Sequence, residues 1–159
     1  MRRPSGIVLL GLVLASTLLA ACGRPAKPNI LLVTLDTTRA DRLGCYGYSQ
    51  PTSPAIDALA ADGFVFDNAF TTNPITLPAH TSIMTGSYPV SHGVRDNTSF
   101  VAPDELHTLA EVLSAADYET AAFVGAFVLD SSFNLDQGFS TYDDRIEASW
   151  SRDELQERR

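Results

Sequence analysis

The chain alternates apolar runs with amphipathic ones. NILLVTL, Asn29 to Leu35, is nearly all apolar, the pattern of a parallel strand buried on both faces. It stops at Asp36. SPAIDALAADG, Ser53 to Gly63, places a serine before a proline, apolar residues at helical spacing and a glycine at the end. Those features predict a helix with a capped start and a glycine stop. FVFDNAF, Phe64 to Phe70, predicts a second strand. NPITLPAHTSIMTG, Asn73 to Gly86, predicts one or two helical turns, with Thr76 just ahead of Pro78. HTLAEVLSAAD, His107 to Asp117, predicts another helix, and YETAAFVG, Tyr118 to Gly125, a third strand. The closing WSRDELQERR, Trp150 to Arg159, is charged and helix-like with no strand after it. Strands alternating with helices predict an α/β fold whose mostly parallel sheet is covered on both faces. Ligands in such folds bind outside the carboxyl ends of the strands. Asp36 and Thr76 therefore belong on one rim.

The ends and the charge add to this. MRRPSGIVLLGLVLASTLLAAC opens with two arginines and an apolar run, Ile7 to Ala21. A bilayer-spanning helix needs about 20 apolar residues, so residues 1–21 read as a signal peptide. LAAC, Leu19 to Cys22, resembles a bacterial lipobox, which makes Cys22 the lipidated new amino terminus. Gly23 follows, with no aspartate of the inner-membrane retention type. The expected location is the bacterial cell envelope, lipid-anchored and facing the periplasm, with the outer membrane favoured. Residues 22–28 read as anchor and tether, and residues 29–159 as the front part of a longer catalytic domain. Such a front part leaves an open sheet edge and an uncovered apolar face, so by itself it is expected to fold poorly and to be inactive. Of 159 residues, 11 are basic and 19 acidic. Losing Arg2 and Arg3 with the leader leaves 9 basic against 19 acidic. That balance argues against nucleic acid as a partner, but not against an anionic substrate held beside a metal. Cys45 is the other cysteine, so no internal disulfide is expected in the mature chain.

A free threonine hydroxyl is a weak nucleophile and needs a base, a lowered pKa or a metal. A helix beginning near Leu77 or Pro78 would turn unpaired N–H groups and its positive end toward Thr76 and a bound anion. Asp36 would hold a divalent cation against the hydroxyl. The pattern alone leaves a second pair of roles open: Thr76 as helix N-cap and Asp36 as turn former.

Four stretches, PNILLVTLDTTRADRLGCYGY, TSPAIDALAADGFVFDNAF, TLPAHTSIMTGSYPVSHGVRDN and LDQGFSTYDD, resemble in this order the amino-terminal part of the sulfatase family. That family lies within the alkaline-phosphatase-like superfamily. The resemblance runs from about Pro28 to Asp144 and implies a three-layer α/β/α sandwich. The family motif is cysteine or serine, any residue, proline, a small residue, arginine, and later threonine-glycine. Here it falls on Thr76, Pro78, Ala79, His80, Thr85 and Gly86. Two departures stand out. Sulfatases oxidise the cysteine or serine to formylglycine, and a threonine cannot give that aldehyde. The sulfate-contacting lysine and histidine are also missing from GAFVLD, Gly125 to Asp130.

Phosphoryl-handling relatives use an unmodified threonine, which Thr76 fits better. By resemblance Asp36 is a metal ligand, with Thr37 where sulfatases often carry a second acid. Asn97 lies 21 residues past Thr76, where some relatives place an amide that binds a non-bridging oxygen. His80 has the role of contacting the oxyanion or donating a proton, or is a structural histidine. His92 orders its loop, His107 is solvated, and Cys45 is a packed small residue. The implied cofactor is a divalent metal ion, zinc or manganese before calcium or magnesium. The implied function is a metal-dependent hydrolase or transferase acting on small anionic phosphate, phosphonate or sulfate esters through Thr76. Its alternative is a surface-anchored binding protein that keeps the fold without the reaction.

Overall fold

The computed structural model describes residues 27–146. The signal peptide, Cys22, most of the tether and the closing segment Trp150 to Arg159 lie outside the described residues. The chain divides into two compact units, Met1–Leu35 and Asp36–Arg159. In the first, residues 27–35 carry no secondary structure, and Leu31 is 87% exposed. The strand expected over Asn29 to Leu35 is therefore not formed. A parallel strand is made by its ladder with neighbours, and no described strand pairs with this segment.

The second unit carries the elements. Short 3-10 turns at Ala40–Arg42 and Gly44–Tyr46 precede helix α1, Pro54–Asp62. Helix α2 is Thr76–Thr85, the four-residue turn α3 is Pro89–His92, and α4 is Leu109–Ala115. Strand β1, Ala121–Phe123, pairs in parallel with β2, Thr141–Asp143. Further 3-10 turns at Phe127–Leu129 and Ser131–Phe133 lie between them. The expected strand at Phe64 to Phe70 is also absent, and Phe64 is 96% exposed. The third expected strand shortens to β1, and its partner β2 was not expected from its pattern.

Local chemistry accounts for the helices. Proline opens α1, and Ser53 stands at its N-cap without capping it. The Ser53 hydroxyl instead accepts from the Gly44 N–H at 2.9 Å and donates to Asp57 Oδ1 at 3.0 Å. Asp57 also accepts from the Cys45 N–H at 2.8 Å, so the serine read as a cap pins the Gly44–Tyr46 turn to α1. Helix α4 has a full capping box, Thr108 with Glu111. Exposed His107 lies just outside it.

The core is built on α2 and the segments that follow it. Leu77, Val94, Ala102, Leu129 and Leu135 form the buried cluster, with Phe100, Leu106 and Phe133 packed against it. Tyr142 on β2 donates its hydroxyl to the Leu129 carbonyl at 2.6 Å. Burial, then the carboxylates of Asp136, Asp144 and Asp130, push its pKa up to about 12, so this bond keeps its proton throughout the physiological range.

Two glycines with positive φ make a stability test. Gly86 ends α2 at φ 63° with open space around it. Gly138 has φ 86°, and an added Cβ would overlap the Glu111 backbone nitrogen at the start of α4. In the full-length protein, Gly86→Ala should cost about 1 kcal/mol for the left-handed conformation. Gly138→Ala adds overpacking and should cost more than about 2 kcal/mol. Urea unfolding checks the order; equal midpoints for the two variants would show that the Gly138–Glu111 contact is not tight.

Candidate functional site

All the site residues lie in the second unit. The Thr76 hydroxyl donates to Asp36 Oδ2 at 3.0 Å across 40 residues of sequence. The two residues predicted to share a rim are thus in contact, although neither strand expected to deliver them is formed. Asp36 is exposed, and Thr76 is half-buried. Asp36 sits in a turn whose next residue, Thr37, has φ 56°. A β-branched residue there is held against an intrinsic preference of about 1–2 kcal/mol.

Helix α2 begins one residue earlier than expected. Its N-cap is Ile75, and Thr76 is its first helical residue. Thr76 is therefore not the cap. The turn before it is set by Asn73, whose side-chain oxygen accepts from the Ile75 N–H at 2.8 Å. The first-turn donors are few. Pro78 has no N–H, and the Ala79 N–H bonds to the Ile75 carbonyl at 3.0 Å. The Leu77 N–H donates to Asn97 Oδ1 at 2.8 Å. The expected row of unpaired helix N–H groups thus reduces to that of Thr76 itself.

Asn97 is consequently a neighbour of Thr76 by way of Leu77. A backbone N–H only donates, so the Asn97 amide must present its oxygen to Leu77. Its NH2 group is the donor that remains for a ligand oxygen. His80 lies one turn along α2, its Nδ1 2.8 Å from the Thr76 carbonyl. A carbonyl only accepts, so Nδ1 carries a proton and the acceptor position of the neutral ring is Nε2. His80 thus braces the backbone of Thr76. His92 is fully buried, and Ser82 Oγ lies 3.0 Å from its Nε2. Burial lowers its pKa from the ordinary value, partly offset by a backbone hydrogen bond. Cys45 is a free, half-buried thiol.

Hard oxygen donors suit a divalent cation. The Asp36 and Thr76 oxygens, 3.0 Å apart, fit adjacent corners of one coordination sphere with metal–oxygen bonds of about 2.0–2.6 Å. Among the described residues, no group of three histidine, cysteine or carboxylate side chains could hold a metal. The pair by itself would supply only part of a ligand set.

Comparisons with known proteins identify the family. Residues 28–156 match the family described as Sulfatase. The chain is 32% identical over 119 residues to N-acetylgalactosamine-6-sulfatase of Canis lupus familiaris, covering 67% of this chain and 23% of that protein. It is 33% identical over 115 residues to N-acetylglucosamine-6-O-sulfatase of Bacteroides thetaiotaomicron, covering 69% of this chain and 20% of the relative. The solved structure of a 2-O GAG sulfatase superposes with a TM-score of 0.65 at 28% identity, over 74% of this chain and 26% of the other. The chain thus spans about a quarter or less of the length of the proteins it matches. Its parallel pair and helices are a portion of an alkaline-phosphatase-like α/β fold. The chain belongs to the Sulfatase family.

Proposed function

We propose that this chain carries the nucleophile of a metal-dependent ester hydrolase or transferase, in which unmodified Thr76 attacks a small anionic phosphate ester. The observation that supports it is the hydrogen bond from the Thr76 hydroxyl to Asp36. The attacking oxygen already has its proton directed at a carboxylate, and it stands at the first residue of α2, where negative charge is favoured. Asp36 and Thr76 would hold the divalent metal, zinc or manganese before calcium or magnesium. When bound, it supplies Lewis-acid stabilisation of charge on oxygen.

The remaining roles belong to this chain's own groups. The Thr76 N–H and the Asn97 NH2 are the donors available to non-bridging oxygens. Attack would form a bond from Thr76 Oγ1 to phosphorus, the ester oxygen would depart with its bond pair, and the hydroxyl proton would leave by way of the exposed Asp36 carboxylate to water. Water, or an acceptor alcohol, then releases the phosphothreonine. His80 holds the Thr76 carbonyl through Nδ1, and in its protonated form it would donate the Nε2 proton to the departing oxygen. The same framework on a sulfate ester is the second reading, favoured by the names of the relatives. Against it stands the secondary alcohol of threonine, which cannot be oxidised to an aldehyde. Cys22 is proposed as a lipid anchor that holds the domain in the cell envelope, facing the periplasm.

Three experiments on the full-length protein test these points. Thr76→Ala should lower turnover by about two orders of magnitude or more, while Thr76→Ser keeps part of it, across paired aryl phosphate, phosphodiester and aryl sulfate substrates. Parental turnover in Thr76→Ala would show that water attacks directly, and turnover of the sulfate alone would replace the phosphate reading with the sulfate one. Elemental analysis should find Asp36→Ala depleted of bound metal; unchanged content removes Asp36 from the ligand set. Cys22→Ser should take up no lipid label and leave the membrane fraction, and a labelled, membrane-bound variant would disprove the anchor.

A further inference from the structure

A polar chain centred on two buried residues, which takes no part in the steps above, links the segments around Thr76. His92 is 1% exposed and Ser82 7%. The Val94 N–H donates to His92 Nδ1 at 3.2 Å, so that nitrogen carries a lone pair and the ring proton sits on Nε2. Nε2 therefore donates to Ser82 Oγ at 3.0 Å. The same hydroxyl oxygen accepts from Thr72 Oγ1 at 2.8 Å. His92 thus stands where two branches meet. One runs through Ser82 to α2, and through Thr72 to the turn that enters it. The other runs through Val94, which is fully buried, to the loop bearing Asn97.

We propose that His92 is a positioning residue for Thr76: as a neutral Nε2–H imidazole it locks α2 and the Asn97 loop in one register. The nucleophile and the amide donor then address the same ligand. Imidazole suits this place because it is the one side chain that accepts at one edge and donates at the other within a rigid ring. The surroundings keep it uncharged. Helix α2 bears His80 as its one titratable side chain, residues 71–75 bear none, and the loop after α3 bears Arg95 and Asp96. None of these shifts His92, whose pKa is lowered by burial. The consequence for catalysis rests on the reading of Thr76 above, whereas the clamp itself does not.

The test compares two amides at this position in the full-length protein. The amide nitrogen of His92→Gln extends about as far as Nε2 and can still donate to Ser82. His92→Asn reaches only as far as Nδ1 and can serve Val94 alone. Turnover is read on para-nitrophenyl phosphate, bis-para-nitrophenyl phosphate and para-nitrophenyl sulfate, and hydrogen exchange is read by mass spectrometry over residues 72–80. His92→Asn should lower kcat about tenfold with KM little changed and speed exchange over 72–80 about tenfold, the scale of one lost buried hydrogen bond. His92→Gln should stay within about threefold of the parent in both, since it restores the donor. Exchange in His92→Asn that matches the parent, or rises equally in α1 and α4, would overturn the clamp, as would indistinguishable Gln and Asn variants. A parent that turns over none of the three probes would defeat the Thr76 reading, and exchange alone would then decide for or against His92.

Discussion

The hydrogen bond from the Leu77 N–H to the Asn97 side chain sets the geometry on which the site depends. Leu77 is fully buried and its neighbour Thr76 is half-exposed, so one helical turn faces both the core and the solvent. The Leu77 side chain fixes the rotation of α2 about its axis, because an apolar residue of that size cannot leave the cluster without about 2–5 kcal/mol of lost packing. Asn97 fixes the end of the helix by occupying a donor that would otherwise lack a partner, a loss worth about 1–3 kcal/mol. With rotation and end both fixed, the Thr76 hydroxyl has a defined exit. Asp36, from 40 residues away, meets it there.

What the amino-acid pattern foretold divides along the range of the signals. The helices were legible because their determinants are local. Pro54 and Gly63 bound α1, Gly86 ends α2, and Thr108 with Glu111 opens α4. Of the strands only β1, inside Tyr118 to Gly125, formed where expected, because an apolar run states only that it wants to be covered. Asn29 to Leu35 and Phe64 to Phe70 have that composition, yet no described strand supplies their ladders. β2 formed where no apolar run marked it, since Thr141 to Asp143 needs only β1 beside it. Ser53 shows a third limit. It occupies the N-cap position, but a turn nine residues upstream offered a better partner. No sequence spacing encodes that competition.

The site was legible as a pairing and illegible as a hydrogen-bond scheme. Asp36 and Thr76 could be matched from the rule that strand ends share a rim, and the match holds although the strands do not. Which first-turn donors remain available could not be read. That depends on Asn97 arriving from a loop 20 residues beyond Leu77. The Thr72–Ser82–His92 chain carries no local signature either. Serine and threonine near a histidine are common, and only the burial of Ser82 and His92 fixes these into a network.

That donor arithmetic decides how negative charge can be carried here. Pro78 has no N–H, Asn97 takes that of Leu77, and Ala79 is bonded within the helix. The helix end therefore offers a ligand little more than the N–H of Thr76, and its dipole acts mainly through that single group. His80 stands where the family motif has an arginine. A guanidinium is always charged and presents five donors, whereas an imidazole is charged only when protonated, and here one edge is committed to the Thr76 carbonyl. A chain with 19 acidic against 11 basic residues offers no broad positive field as a substitute. On the proposed reading, the demand left over would fall on a cation beside Asp36 and on the Asn97 amide. A site with these losses can still bind an anion, but it must do so with a few directed contacts. The packing that aims Asn97 and Thr76 then matters as much as the groups themselves.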